Sequence, residues 1–260
     1  MRKSVFAMLR MFVLGVLMMP IVSCDKDTDG DGGAPSNQPN NEKKLVRVME
    51  YDGSGEELEA KYEFKYNQAG NVVEYTEGYF DDGKWQKETG KVSWNSNGSI
   101  TLTSEGEEET LVVALSDGRI TSWGSWYNFT YDEKGFVKTF VCESQLESYS
   151  RAYTWDDSYL FSIDYQSEYY ARTESVHYGN KACKGFLPVF GKYVDIPEIG
   201  LFMAMPELVG VKTTNLPTKI NGNFSTTFEY QLDAAGYVVK CIVKEDSVEP
   251  RQTLYEFVWE

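Results

Sequence analysis

Leu58-Glu59-Ala60-Lys61-Tyr62-Glu63-Phe64-Lys65-Tyr66 alternates without a break, and Asn67-Gln68-Ala69-Gly70 stops it. Leu58, Ala60, Tyr62, Phe64 and Tyr66 fall on one face; Glu57, Glu59, Lys61, Glu63 and Lys65 fall on the other. A period of two over this length predicts a strand with one covered face. The four residues that follow have turn chemistry. An Asn or Asp at the first position accepts a hydrogen bond from the backbone two residues on, and a Gly at the last takes the left-handed conformation that bulkier residues resist. Val72 then restarts the apolar pattern two places past the glycine.

The same unit recurs along the chain. Its turns are Asn95-Ser96-Asn97-Gly98, Asp132-Glu133-Lys134-Gly135 and Asp233-Ala234-Ala235-Gly236, with shorter versions at Ser116-Asp117-Gly118 and Asp156-Asp157-Ser158. A large apolar residue precedes each turn: Trp94, Tyr131, Leu232, Leu115 and Trp155. An apolar residue lies two past each: Ile100, Val137, Val238, Ile120 and Leu160. Phe228, Tyr230 and Leu232 repeat the alternation, as do Tyr255, Phe257 and Trp259. Hairpin after hairpin predicts an all-β fold, an antiparallel meander forming a curved open sheet or a barrel. One stretch, about 181–220, lacks the alternation. Within it LFMAMPELVG predicts a short helical insertion near 195–210, with Pro197 suited to its start, Gly210 to its stop and Pro206 dividing it. An apolar stretch of this strength is expected to plug or cap one face of the sheet, with a partner-binding amphipathic helix as the alternative.

The N-terminus reads as an address rather than as fold. Arg2, Lys3 and Arg10 precede the apolar run MFVLGVLMMPIV, which is too short to span a bilayer. Ile21-Val22-Ser23-Cys24 resembles the bacterial lipobox, in which a cysteine thiol takes diacylglycerol and the chain is cut before it. That divides the chain into a signal peptide (1–23), a lipidated cysteine with a flexible acidic tether (24–43) and a β-repeat domain (44–260). Asp25, Asp27, Asp29 and Gly30 imitate the start of a calcium loop, but Ser36 stands at the twelfth position, where such loops use a bidentate Glu. Acidic residues this close behind the cysteine resemble the surface-export signals of Bacteroidetes lipoproteins. The expected location is therefore the outer membrane, on its periplasmic or cell-surface side.

Chemistry-bearing residues are sparse. The formal charge is −15, and the leader removes only cations, so nucleic acid is not an expected partner. His177 is the single histidine, so no His cluster can hold zinc, and no G-x-S-x-G elbow, Walker loop or dinucleotide fingerprint occurs. No catalytic residue, metal ligand or cofactor is assigned. With Cys24 lipidated, Cys142, Cys183 and Cys241 remain. A Cys142–Cys241 bridge is compatible with their offsets from the repeat turns, although buried free thiols are the favoured reading. The aromatic residues offer the one candidate site. Trp123, Trp126 and Tyr127 form one group and Tyr165, Tyr169 and Tyr170 another. These rings could stack on sugars or other flat ligands, or could simply be a sheet's use of Tyr at half-exposed positions.

Tyr131-Asp132-Glu133-Lys134-Gly135 and Tyr230-Gln231-Leu232-Asp233-Ala234-Ala235-Gly236-Tyr237-Val238 resemble a family of Bacteroidetes lipoproteins of unknown function. That family is described as having a porin-like fold with strand pairs like YD repeats. Gly210-Val211-Lys212-Thr213-Thr214-Asn215-Leu216-Pro217 resembles the segment before the last hairpin in the same family. The resemblance implies a curved sheet with a helical insert on an envelope-anchored chain, and implies no activity. Three readings follow: a binding or scaffold lipoprotein for a glycan or envelope-protein ligand, anchored to the membrane through Cys24; a carboxylate-based hydrolase acting on glycans at the cell surface; and an integral outer-membrane β-barrel. For the anchor itself, wild-type chain grown with a fatty-acid analogue should carry label, and Cys24→Ala should lose it and accumulate as unprocessed or released protein.

Overall fold

The computed structural model describes residues 43–81, 83–104, 110–144, 148–194 and 200–260. The leader, Cys24, the acidic tether and the helix start assigned to Pro197 lie outside these residues. The strands are β1 (Leu45–Tyr51), β2 (Leu58–Tyr66), β3 (Val72–Asp81), β4 (Lys84–Trp94), β5 (Ser99–Ser104), β6 (Thr110–Ser116), β7 (Arg119–Trp123) and β8 (Tyr127–Tyr131). They continue as β9 (Val137–Glu143), β10 (Ser148–Asp156), β11 (Tyr159–Ser167), β12 (Ala171–Ala182), β13 (Asn215–Asn221), β14 (Ser225–Leu232), β15 (Val238–Asp246) and β16 (Arg251–Trp259). Each pairs antiparallel with its sequence neighbours, and β1 pairs with β16, with Val48 opposite Phe257. The open-sheet alternative is thus resolved: the meander closes into a barrel of sixteen strands.

Between β12 and β13 the chain forms helix α1 (Phe190–Tyr193), helix α2 (Gly200–Ala204) and a 3-10 turn, Pro206–Val209. The insertion therefore begins ahead of the expected 195. Pro206 opens the 3-10 turn, and Gly210 ends it at φ 63°. A Cβ at Gly210 would stand 2.6 Å from the Gly135 carbonyl oxygen, so both backbone conformation and space demand glycine. The insertion touches strands all round the ring. Lys192 reaches Glu50 on β1 at 3.2 Å and the Tyr255 hydroxyl on β16 at 2.7 Å. Tyr153 on β10 donates to the Val194 carbonyl, Phe202 meets Trp123 on β7, and Val137 N–H on β9 donates to the Gly210 carbonyl. A segment that touches opposite sides of a closed ring lies inside it. The insertion plugs the lumen rather than capping a sheet face.

This fixes which strand face points where. Inward residues such as Val48, Tyr62, Phe64, Ile100, Phe140, Val243 and Tyr255 are buried together with Leu201, Phe202 and Leu208 of the plug. Outward residues on β1 to β3 carry the charge, as in Arg47–Glu63 at 3.0 Å and Lys65–Glu74 at 2.6 Å. Cys142 and Cys241 are both buried free thiols. They stand six positions apart around the ring, on β9 and β15, beyond the ~7 Å Cα separation that a disulfide can bridge. The bridge weighed from sequence is therefore not formed.

The two rims differ. Connections from even to odd strands carry the repeat turns and the plug, and the first strand begins there beside the end of the last, where Lys44 and Glu260 pair through their backbones at 2.6 and 2.9 Å. In these turns the first carboxylate or amide accepts backbone N–H groups, as Asp132 does from Lys134 at 3.0 Å and Phe136 at 2.8 Å. Gly70, Gly98, Gly135 and Gly236 have φ of 91°, 77°, 83° and 91°, as the turn chemistry predicted. The aromatic residue at each even strand's end reaches across to the odd strand before it. Trp94 Nε1 donates to the Val72 carbonyl at 2.9 Å, Tyr131 to Ile120 at 2.7 Å, Trp155 to Val137 at 2.7 Å and Trp259 to Val238 at 2.8 Å. Tyr66, Tyr178 and Tyr230 do the same to Leu45, Leu160 and Pro217. The break in this belt falls at β6, where Leu115 has no donor to offer.

Burial pushes the hydroxyls of Tyr66, Tyr131, Tyr178 and Tyr230 well above the ordinary tyrosine value of 10.0. A raised value means that the folded chain holds these protons after the unfolded chain has released them. Their stabilisation is therefore complete below about pH 10 and is lost as pH rises beyond it. Alkaline unfolding followed by circular dichroism should set in above that point. Tyr131→Phe should lower stability near neutral pH by about 1–3 kcal/mol, since it leaves buried carbonyls without a donor.

Candidate functional site

The opposite rim, made by the odd-to-even connections, is where the sequence-selected aromatics come together. Trp123 and Tyr127 are inward neighbours on β7 and β8, with ring centroids 4.8 Å apart. Tyr127 stacks on Phe140 at 5.5 Å, Phe140 meets Tyr149 at 5.9 Å, Tyr149 stacks on Tyr165 at 5.8 Å, and Tyr165 meets Tyr170 at 5.9 Å. The two groups proposed from sequence are thus the two ends of one ladder of rings. It runs along the inner wall from the core at Trp123 to the rim at Tyr170. Inward side chains on neighbouring strands are cross-strand partners, such as Arg151 opposite Tyr165, so their rings meet without any special loop.

Phe140 and Tyr149 complete the ladder and were missed by sequence reading. So was Arg151, whose guanidinium carbon lies 4.6 Å from the Tyr149 ring centre and 4.8 Å from that of Tyr165. Arg172 also lies 5.3 Å from the Tyr165 ring centre and pairs with Glu174 at 3.0 Å. The signal that could have found them is parity: both arginines occupy inward positions among apolar neighbours, and a desolvated cation needs ring faces or counter-charges.

Other sequence candidates are sorted differently. Trp123 is core, buried between Tyr127 and Phe202. Trp126 lies in the short β7–β8 connection and lines a cleft at the rim. Tyr169 and Tyr170 sit in the β11–β12 connection, where Tyr170 turns back to the ladder and Tyr169 is 88 % exposed. His177 faces outward on β12, its Nε2 2.9 Å from Asn221 Nδ2, a surface pair away from the ladder. For a hydrolase the nearest arrangement is Glu77 opposite Glu88, on inward positions of β3 and β4, with the Tyr79 hydroxyl donating to Glu88 at 2.7 Å.

The rim cleft has a volume of about 670 Å³, within the ~300–1,000 Å³ usual for ligand sites. It lies between the β7–β8 connection and the facing ends of β9, β10 and β11, with Trp126, Glu143, Tyr149 and Gln166 in its wall. Glu143, Ser148, Ser150 and Gln166 of this wall stand on outward strand positions, whereas the Tyr149 ring points inward to the ladder, so cleft and ladder lie on opposite faces of the sheet.

No protein-family model and no curated protein matches the chain. Solved structures do. A porin-like protein from Bacteroides uniformis is similar over 85% of this chain and 99% of its own, with a TM-score of 0.70 at 15% identity. The fold is porin-like. A second porin-like protein, from Bacteroides vulgatus, covers 84% of this chain and 99% of its own with a TM-score of 0.56 at 12% identity. At these identities the likeness carries the barrel architecture alone. The porin-like barrel described here has its lumen filled by the plug among mainly apolar side chains, with the aromatic ladder running up to one rim.

Arg151→Met keeps the stem of the side chain and removes the charge between the two tyrosines. It should cost about 1–2 kcal/mol in chemical denaturation, the range of a desolvated cation–π contact. Ser150→Ala, an outward neighbour, should leave the midpoint unchanged.

Proposed function

We propose that this chain is a lipid-anchored envelope protein, outer-membrane located, whose barrel stands in water and binds ligands at its open rim rather than catalysing a reaction. One observation carries this reading: the inner face is built mainly of apolar side chains packed on the plug, while the outer face of β1 to β4 carries rows of charged ones. A membrane-spanning barrel needs the reverse, an apolar band of about 25 Å on its outside, and a Lys or Arg at mid-bilayer costs about 2–4 kcal/mol. Glu59, Lys61, Glu63 and Lys65 follow one another on the outer face of β2, with Lys87, Thr89 and Lys91 on that of β4. Outward apolar residues such as Phe80, Trp85, Val112 and Phe161 stand singly or in pairs. The lipid on Cys24 then supplies the membrane attachment.

The anchor and the fold agree in geometry. Lys43 pairs with Asp233 at 2.9 Å, so the chain enters the barrel at the plugged rim. A tether leaving there would hold that rim toward the membrane and turn the ladder and cleft away from it.

The comparisons lend more to a second reading, an integral outer-membrane barrel. The ring is fully closed, its strand number is even, and the similar structures are called porin-like. No described helix is long and apolar enough to cross a membrane, which leaves strand-crossing open. One experiment separates the two. Residues 43–260 expressed without detergent should give a monodisperse species with native β-sheet dichroism. Aggregation reversed only by detergent, with reconstitution into liposomes, would establish the integral barrel instead.

A further inference from the structure

Eight large apolar side chains are exposed among the described residues, and six of them stand on or beside the connections of one rim. They are Phe80 and Trp85 at β3–β4, Tyr169 and Tyr170 at β11–β12, Phe224 at β13–β14 and Val248 at β15–β16. Tyr169 and Val248 are almost wholly exposed, at 88 % and 87 %. The described repeat turns of the plugged rim contribute none. We propose that the open rim is a membrane-contact surface, whose apolar tips seat in the interfacial layer of a zwitterionic bilayer. The inference goes beyond the reading of an anchored barrel that stands in water, and does not depend on the lipid on Cys24.

These side chains are of the kind that the interfacial layer holds. Tyr and Trp join an apolar ring to a polar tip, and Phe and Val gain by leaving water while the turn beside them stays among the headgroups. The Phe80 and Trp85 rings pack edge to face with centroids 5.1 Å apart, and Asn223 donates to the Tyr170 hydroxyl, which ties the β11–β12 and β13–β14 tips together. The outer wall limits the depth of insertion. Lys87 follows Trp85 on the same face of β4, about 7 Å along the strand, which matches the ~5–10 Å to which interfacial segments sink. A folded partner is the competing occupant, and it would bury one continuous patch with an apolar centre. Here the rings stand on separate tips. Between the β15–β16 and β3–β4 tips comes the β1–β2 connection, with Asp52, Ser54, Glu56 and Glu57. A fluid surface takes up each tip separately.

The charge of the rim selects the lipid. Asp52, Glu56, Glu57, Glu168, Asp246 and Glu249 are among the acids of the described connections and their flanks, with Lys84 and Arg251 as the cations beside them. Positions 105–109 and 145–147, which belong to the β5–β6 and β9–β10 connections, add acids and no Lys or Arg in the sequence. An anionic bilayer repels such a rim, and a zwitterionic one does not. The anchor is compatible with the contact. The tether alone leaves the plugged rim toward the bilayer, but eighteen residues separate Cys24 from Lys43. They reach up to about 60 Å, whereas the twelve residues of β12, the longest strand, span about 40 Å. An anchored barrel can therefore turn over and set its open rim down.

The test is flotation of residues 24–260 carrying Cys24→Ser, which have neither leader nor lipid, with vesicles of phosphatidylcholine and with vesicles of phosphatidylcholine and equimolar phosphatidylglycerol. The chain should float with the first and less with the second. Tyr169→Ser, Phe224→Ser and Val248→Ser together should lower the partition coefficient about tenfold or more. Phe161→Ser, which removes an exposed ring from the outer wall of β11 away from that rim, should leave it unchanged. Both variants should keep the wild-type thermal midpoint within a few degrees. Absence of flotation, flotation with the mixed vesicles alone, or flotation that survives the triple substitution, as that of an integral barrel would, overturns the inference. Sedimentation velocity covers the remaining occupant: a dimer that the triple substitution dissolves, in a chain that ignores vesicles, would assign the rim to a second copy instead.

Discussion

A single hydrogen bond, made over and over, ties this barrel together at its plugged rim. A Tyr or Trp at or near the end of an even strand donates to a carbonyl at or near the start of the odd strand before it, from Tyr66 on Leu45 round to Trp259 on Val238. The bond links neighbouring hairpins, so it joins repeat to repeat where the turn joins strand to strand. It also gives a reason for the aromatics with a polar tip before the turns at Tyr66, Trp94, Tyr131 and Trp155: the ring fills the space beneath the turn while the tip donates to a backbone carbonyl of the neighbouring hairpin. Leu115 supplies the ring's bulk without the donor, at the one even strand where the belt is interrupted.

Closure creates the problem that the plug solves. Sixteen strands enclose a lumen too wide for their own side chains to fill. Water in an apolar lumen would forfeit the gain from burying Val48, Ile100 and Phe140. The insertion between β12 and β13 occupies that space with Phe190, Leu201, Phe202 and Leu208. The pair between Lys192 and the fully buried Glu50 gives it a register. Such a pair adds little net stability but penalises any arrangement that separates it, because a lone buried charge is costly. A plugged, mainly apolar interior and the charged outer face of β1 to β4 then belong together.

The candidate site was half legible before the fold was known. Trp126, Tyr127, Tyr165 and Tyr170 could be picked out because clustered aromatics near turns are unusual. Their relation could not, since Tyr127 and Tyr165 are joined through Phe140 and Tyr149, on the intervening strands β9 and β10. Arg151 was invisible for a related reason. On β10 it reads as one charged residue in an alternating strand, and only the inward direction of its face makes it a cation between two rings.

The sequence by itself determined the hairpins, their turns and the alternation, because these depend on contacts within a few residues: an Asp or Asn side-chain oxygen accepting nearby N–H groups, a glycine at positive φ, a side-chain period of two. It also marked the one stretch that breaks the pattern. Tertiary structure alone decided that the sheet closes, that the apolar face turns inward, and that the insertion lies inside the ring rather than across a face. The physical reason is that strand alternation is symmetric: it says that one face is covered, and the same pattern serves a water-facing barrel and a membrane barrel equally well. Which face is covered is set by what fills the lumen, through contacts between residues more than a hundred positions apart, such as Lys192 with Glu50.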